Sequence, residues 1–348
     1  MSIRCISLLS GGLDSLLTLR LLALQGLEVI ALHAINCFHG TQPIETKKEA
    51  LRVRAAKLGA ADIVFPDLTE EVLEVTRRPR YGYGRHLNAC IDCRLKTVAE
   101  GFRTMTERNA AFVASGEVVG QRPMSQRREV LKLVDRLVAE WGYPGRLLRP
   151  LSAKLLEKTI PEIEGWVSPE HLHDISGRGR ERQMRLAGEY DLGEYPSPAG
   201  GCLLTDPGFS QRLAGLMRFK PDWGVEDVEL LKVGRHFQIS PASRVVVSRR
   251  EEENSRLREL ARSGDFLYIN AQQNGAIVLI RGDATPEARA VAAGLAIYYS
   301  KMREKGRAMV TSWRIEGMDI SHETLEAEAF APEQARELEH LNFTLAHG

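Results

Sequence analysis

Three cysteines and one glycine-rich turn carry the chemistry legible in this chain. Cys90 and Cys93 stand at i and i+3, so they share a face wherever the segment is helical. Cys202 lies far along the chain, after Gly-Gly in a proline-rich stretch that is expected to be an exposed loop. Three thiolates suit a short list of tasks. They can ligate three irons of a [4Fe-4S] cluster and leave one iron open. One can carry a persulfide that another resolves by exchange. They can also hold zinc, given a fourth ligand. Arg94 and Lys96 follow the C-x-x-C pair, and two cations at a helix start are expected to lower its thiol pKa values. Cys37 is a spare candidate, and Cys5 reads as core.

The turn is Ser10-Gly11-Gly12-Leu13-Asp14-Ser15, between an apolar run and a leucine-rich helix closed by Gly26. Adjacent glycines let the backbone turn sharply and approach an anion. The helix start then points unpaired N–H groups and its positive dipole end at that anion. Ser10 and Ser15 add hydroxyls. Asp14 would repel phosphates unless a cation lay between them, which suggests Mg²⁺. The Walker lysine is missing, so this is a different phosphate turn. A plain strand–turn–helix with a serine cap is the bland alternative.

Strands and helices must deliver these groups to one place. Residues 3–9, 28–36, 61–66 and 111–115 read as strands, and residues 47–58, 90–108 and 127–140 as helices. This alternation predicts an α/β fold with a parallel sheet, whose ligands sit beyond the carboxyl ends of the strands. The strand at 111–115 leads into a second glycine-bearing turn, Gly116-Glu117-Val118-Val119-Gly120-Gln121, with Gln126 beyond it. Gly116 is expected to allow close approach of a nucleotide, and Gln121 and Gln126 to supply polar contacts. His33 reads as a packed histidine, while His39 falls on the rim.

The S-G-G-x-D-S turn resembles the PP-loop of the ATP pyrophosphatase superfamily. The Ser-Gly-Glu-x-x-Gly-Gln-x-x-x-Ser-Gln run from Ser115 to Gln126, with Arg149-Pro150-Leu151 after it, is similar to the ATPase domain of tRNA 4-thiouridine synthetases. A C-x-x-C pair with one distant cysteine looks like the three-cysteine cluster site of several ATP-dependent tRNA thiolases. The resemblance implies ATP bound across residues 10–15 and 116–126 with Mg²⁺. It also implies adenylation of a uridine carbonyl, and replacement of that oxygen by sulfur held at Cys90, Cys93 and Cys202. tRNA and a sulfur donor are the implied partners, and a homodimer is allowed. The turn begins at residue 10 and no rhodanese tail is read, so tRNA selection and sulfur delivery are expected to differ from the 4-thiouridine synthetases.

Beyond residue 207 the pattern changes to shorter strands and helices. This stretch resembles the small NFACT-R-like RNA-binding module, a second α+β unit. The expected layout is residues 1–207 for the nucleotide and cysteine domain, 208–320 for the small module, and 321–348 for an acidic tail. The formal net charge is +1, so no global basic signal marks a nucleic-acid binder. Locally, residues 77–136 hold 13 Lys/Arg against 6 Asp/Glu. Residues 77–85 and 178–185 are the basic segments expected to hold RNA. No apolar run approaches the roughly 20 residues of a membrane span. Five cysteines with no secretory leader suggest a reducing, cytoplasmic setting. Two rival readings stay open: a PP-loop ligase or sulfur enzyme acting on a small molecule, and an RNA-binding protein with structural zinc.

Overall fold

A computed structural model describes residues 2–40, 42–195, 201–272, 274–317, 319–331 and 333–334. The chain divides into two compact units between Leu203 and Leu204.

The first unit is α/β. Its strands are β1 (Arg4–Leu8), β2 (Glu28–Leu32), β3 (Ala60–Val64), β4 (Phe112–Ser115) and β5 (Leu147–Leu148). Its helices are α1 (Leu13–Leu24), α2 (Ile44–Lys57), α3 (Thr69–Arg77), α4 (Cys90–Glu107), α5 (Arg128–Glu140), α6 (Ile160–Ile163) and α7 (Glu181–Glu189). The sheet runs β3-β2-β1-β4-β5 with every described pairing parallel. Strands covered on both faces read as near-continuous apolar runs, and β1 and β4 are buried almost throughout. Alternate β1 residues serve opposite faces. Cys5 packs with α1, α2 and α7, whereas Ile6 and Leu8 pack with Val98 and Phe102 of α4 and Val134 of α5. Leu16, Leu17, Leu19 and Leu22 of α1 are fully buried. Each contributes roughly 1.5–3 kcal/mol, which pins the helix behind the turn. The strand order reverses between β1 and β4, so the ligand crevice falls between the segments that follow them.

The second unit is built on an antiparallel sheet. It comprises α8 (Pro207–Phe219), α9 (Val225–Leu231), β6 (Arg235–Ser240), β7 (Ser243–Val247), α10 (Glu251–Leu260), β8 (Phe266–Asn270), β9 (Val278–Gly282), α11 (Pro286–Tyr298), β10 (Arg307–Glu316) and β11 (Asp319–Glu328). The strand order is β11-β10-β8-β9-β7-β6. The alanine-rich α11 covers one face, against Val245, Val247 and Val278. Leu230 of α9 and Leu257 of α10 cover the other, against Val246 and Leu279.

Several expectations need correction. The division expected at residue 207 falls between Leu203 and Leu204, and α8 follows it, with Pro207 at its first position and Asp206 accepting from the Phe209 N–H at 2.6 Å. Residues 321–328, expected in an acidic tail, pair along β10 as part of β11. That strand is polar because much of it is exposed, so burial left no apolar alternation to read. The second strand stops at Leu32 rather than continuing to Asn36. Helix α3 and the two-residue β5 were not foreseen.

Candidate nucleotide and cysteine site

The turn after β1 is ordered by its own side chains. Gly11 has φ +84°, a conformation that favours glycine. Ser15 Oγ donates to the Gly12 carbonyl at 2.8 Å and lies 3.1 Å from Ser10 Oγ. Gly12 caps α1 without a side-chain bond. The first N–H groups of α1 therefore lack a capping side chain, as an anion site requires. Ser10 and Ser15 also shape the turn from within.

Asp14 joins this turn to the one after β4. Its Oδ2 accepts from Gln121 Nε2 and faces Arg180 Nη2 at 3.6 Å, and Gln121 Oε1 accepts from Gln183 Nε2 at 2.8 Å. Asp14 Oδ1 is buried with no hydrogen-bond partner. Burial raises the Asp14 pKa, against the opposing pull of Arg180 and Gln121. A buried carboxylate oxygen with no donor fits a bound cation, so the residue present is suited to Mg²⁺.

Gly116 has a structural task beside the expected one. A Cβ there would lie 2.7 Å from the backbone of Asp14 and Ser15. The glycine lets β4 approach the start of α1 and so helps set the crevice. The next residue, Glu117, is the centre of a buried charge lock that sequence reasoning passed over. It accepts from Arg94 Nε at 2.8 Å, Arg149 Nε at 3.0 Å and Ser115 Oγ at 3.0 Å. Burial alone would raise its pKa, but the two guanidiniums outweigh burial and hold it down to about 2. Arg149 reaches on to Asp135 at 2.7 Å. The signal was an acidic residue directly after a buried strand, with an arginine beside the second cysteine. Ser152 Oγ holds the Val119 N–H at 3.0 Å, and the Gly177 N–H bonds the Val119 carbonyl at 2.8 Å, fixing the second turn. The Gln126 carbonyl accepts from the Gly120 N–H at 2.7 Å, while its side-chain oxygen has no partner.

The cysteines meet at the same edge. The Arg94–Glu117 bond sets the start of α4 beside the end of β4. Cys202 pairs with His39, and the Leu203 N–H bonds the Phe38 carbonyl at 2.9 Å, just beyond β2. Burial, then the charges of Cys202 and Cys90, push the Cys93 thiol up to about 12. This overturns the expected lowering. Arg94 spends its charge on Glu117, and Lys96 faces Glu74 at 3.7 Å. Asn88 Nδ2 donates to Cys90 Sγ at 3.1 Å. Among the described residues, no group of three or more His, Cys, Asp or Glu side chains is arranged around one metal ion. The donor set is three thiols, with Cys93 sensing both others. They are not arranged around one ion in this structure, and a cationic centre would relieve the repulsion among their thiolates. Cys202 is half-buried rather than exposed, and residues 196–200 of its loop lie outside the described residues.

Other expectations are placed as follows. Cys37 is buried. Cys5 is core, and its thiol is pushed up by burial. His33 is packed, with Nδ1 2.7 Å from the Leu9 carbonyl, and burial lowers its pKa to about 4. The basic loop at 78–85 is not loose, because Asp92 accepts from the Arg80 and Tyr81 N–H groups at 3.0 and 3.2 Å. Arg78, Arg80 and Arg85 stay exposed. Arg178 and Arg185 are exposed too, while Arg180 turns inward to Asp14.

Residues 234–337 match the family model of the NFACT protein RNA binding domain. No curated protein matches the chain significantly. Among solved structures it is similar to a 4-thiouridine synthetase in complex with RNA and bound ATP. The identity is 20%, the TM-score 0.34, and the match covers 54% of this chain and 51% of that one. The chain thus spans about half the length of that synthetase. It is also similar to the U34-tRNA thiolase NcsA from Methanococcus maripaludis with its [4Fe-4S] cluster, at 15% identity and TM-score 0.35, over 66% of this chain and 70% of that one. At this identity and overlap no residue's role is carried over from either. No helix among the described residues is long and apolar enough to cross a membrane.

Proposed function

We propose that the chain is an ATP-dependent tRNA sulfurtransferase. One observation carries the reading. Asp14, with its open oxygen, and the coupled thiols Cys90, Cys93 and Cys202 belong to segments at the carboxyl edge of one parallel sheet.

In this reading ATP lies across the turns after β1 and β4. The N–H groups at the start of α1 face its phosphates, and Asp14 Oδ1 would hold Mg²⁺, which would supply charge neutralisation there. Gln121 and Arg180 keep the Asp14 carboxylate aimed. A uridine carbonyl oxygen attacks the α-phosphate, pyrophosphate leaves, and the base is left with AMP as its leaving group. Sulfur from the cysteine site then displaces AMP. Cys90, Cys93 and Cys202 would ligate a [4Fe-4S] cluster, whose chemistry is to present sulfur at an open iron. The target base must leave its stack to reach the edge. The exposed arginines at 78, 80, 85, 178 and 185 would hold the RNA backbone, helped by the second unit. The working setting is cytoplasmic.

Anaerobic incubation with tRNA, ATP, Mg²⁺ and sulfide tests the proposal. The expected result is tRNA-dependent release of AMP and pyrophosphate, with one uridine gaining the mass of an oxygen-to-sulfur exchange. Cys93→Ala should keep pyrophosphate release and lose thiolation. Turnover on a metabolite without tRNA, or thiolation unaffected in Cys93→Ala, would reject it.

A further inference from the structure

The second unit holds a cavity of about 520 Å³ between its sheet and the helices α8 and α9. Across its floor, Gln238 of β6, Arg244 of β7 and Arg281 of β9 stand in register on neighbouring strands. Leu216 and Phe219 of α8, Leu230 of α9 and Pro241 form apolar wall. The residues of α8 and α9 lie outside the stretch matched by the RNA-binding family model.

Among the charged residues lining the cavity, Arg244 is the cation without a carboxylate at ion-pair distance and Asp283 the carboxylate without a cation. Arg281 is held by Asp265 at 2.6 Å, and Lys220 by Asp227 at 2.6 Å. Arg262 faces Asp227 at 3.5 Å. Arg244 meets no carboxylate at ion-pair distance among the described residues. Its Nε and Nη2 both donate to one neutral acceptor, Gln238 Oε1, at 3.0 and 2.9 Å. Its Nη1 bonds nothing among the described residues. Burial lowers the Arg244 pKa to about 10, and Arg212 and Arg281 push it further in the same direction against Asp227. A guanidinium held in place by an amide, with a donor left over and no carboxylate at ion-pair distance, is a cation prepared for an anion.

We infer that this cavity binds one nucleotide of single-stranded RNA, its phosphate on Arg244 and its base against the wall around Phe219. The cavity volume falls within the range that buries a small ligand. An arginine fork beside an aromatic wall suits a phosphate joined to a flat base. The RNA source rests on the function proposed above, whereas the phosphate rests on Arg244 alone.

The test is equilibrium binding of a fluorescein-labelled single-stranded oligoribonucleotide to the full chain, over a series of salt concentrations. Arg244→Met should weaken binding about tenfold and lower the slope of log affinity against log salt by about one. Inorganic phosphate should compete with the oligonucleotide on the wild type and not on Arg244→Met. Arg244→Lys keeps the charge and loses the fork, so it should fall between the two. It also carries the test if the methionine variant does not fold. Unchanged affinity and salt slope in both variants would overturn the inference while leaving RNA binding intact. No binding by the wild type would overturn both the inference and the RNA reading.

Discussion

The two sheets treat their inward charges in opposite ways. In the parallel sheet, Glu117 is fully enclosed and bonded by Arg94, Arg149 and Ser115. In the antiparallel sheet, Arg244 donates twice to the Gln238 amide oxygen and meets no carboxylate at ion-pair distance among the described residues. The first arrangement is closed, because each oxygen is taken and a ligand has nothing to add. The second leaves a donor over. The same contrast recurs within the first unit, where Asp14 has one oxygen engaged and the other bare. A saturated charge holds elements in place, and an unsaturated one is where a ligand is expected.

The comparison is most easily broken at Glu117. Glu117→Gln strands two guanidiniums, and removing one partner of a buried pair costs about 3–5 kcal/mol. Urea unfolding should show that loss, whereas Arg244→Met should leave stability level or higher. The sign of the pH dependence follows from the depressed carboxyl pKa. The contribution of Glu117 is complete above its unfolded value of roughly 4.3. It is lost as pH falls toward about 2. The wild type should therefore weaken across that window more steeply than Glu117→Gln. A variant as stable as the wild type would show that the lock is not structural.

Asp14 should behave in reverse. Its pKa is raised by burial, so the folded state disfavours its charge at neutral pH. Asp14→Asn should keep or gain stability while pyrophosphate release falls about 100-fold or more, the usual scale for losing a preorganised electrostatic group. Full activity would remove Mg²⁺ positioning from its role. A smaller effect is expected at Cys93. In metal-free protein its thiol, raised to about 12, should alkylate slowly at pH 8 and quicken only as pH climbs. Fast alkylation at neutral pH would favour a persulfide-carrying thiolate instead. The smallest effect should come from exposed arginines. Arg178→Ala is expected to lower the salt slope of tRNA binding by about one and leave thiolation chemistry alone.

Much of the first unit was legible because its signals are local. The turn at residues 10–15 and the apolar strands around it are contiguous, and a parallel sheet follows from their alternation. The charge lock was not legible, since Arg94, Glu117 and Arg149 come from separate elements and meet only in the folded sheet. The Cys93 pKa was misjudged because the thiol is buried, which no local pattern marks. Arg94 looked like its neighbour in sequence and proved to be the partner of Glu117 in space. The close approach of the α1 backbone to Gly116 was likewise not legible, because it joins two separate elements. In the second unit α8 was hidden behind two prolines, one of which opens the helix at its first turn. Strand β11 was hidden by its exposure, which removes the apolar pattern that marks a strand.

The central claim is that Cys90, Cys93 and Cys202 act together as one ligand set beside the nucleotide crevice. Iron, acid-labile sulfide and zinc analysis of anaerobically purified protein, wild type and Cys93→Ala, tests it most directly. The account predicts iron and sulfide near four each per chain, as a [4Fe-4S] cluster requires, and their loss in the variant. Zinc alone in the wild type, or iron and sulfide retained in Cys93→Ala, would contradict it.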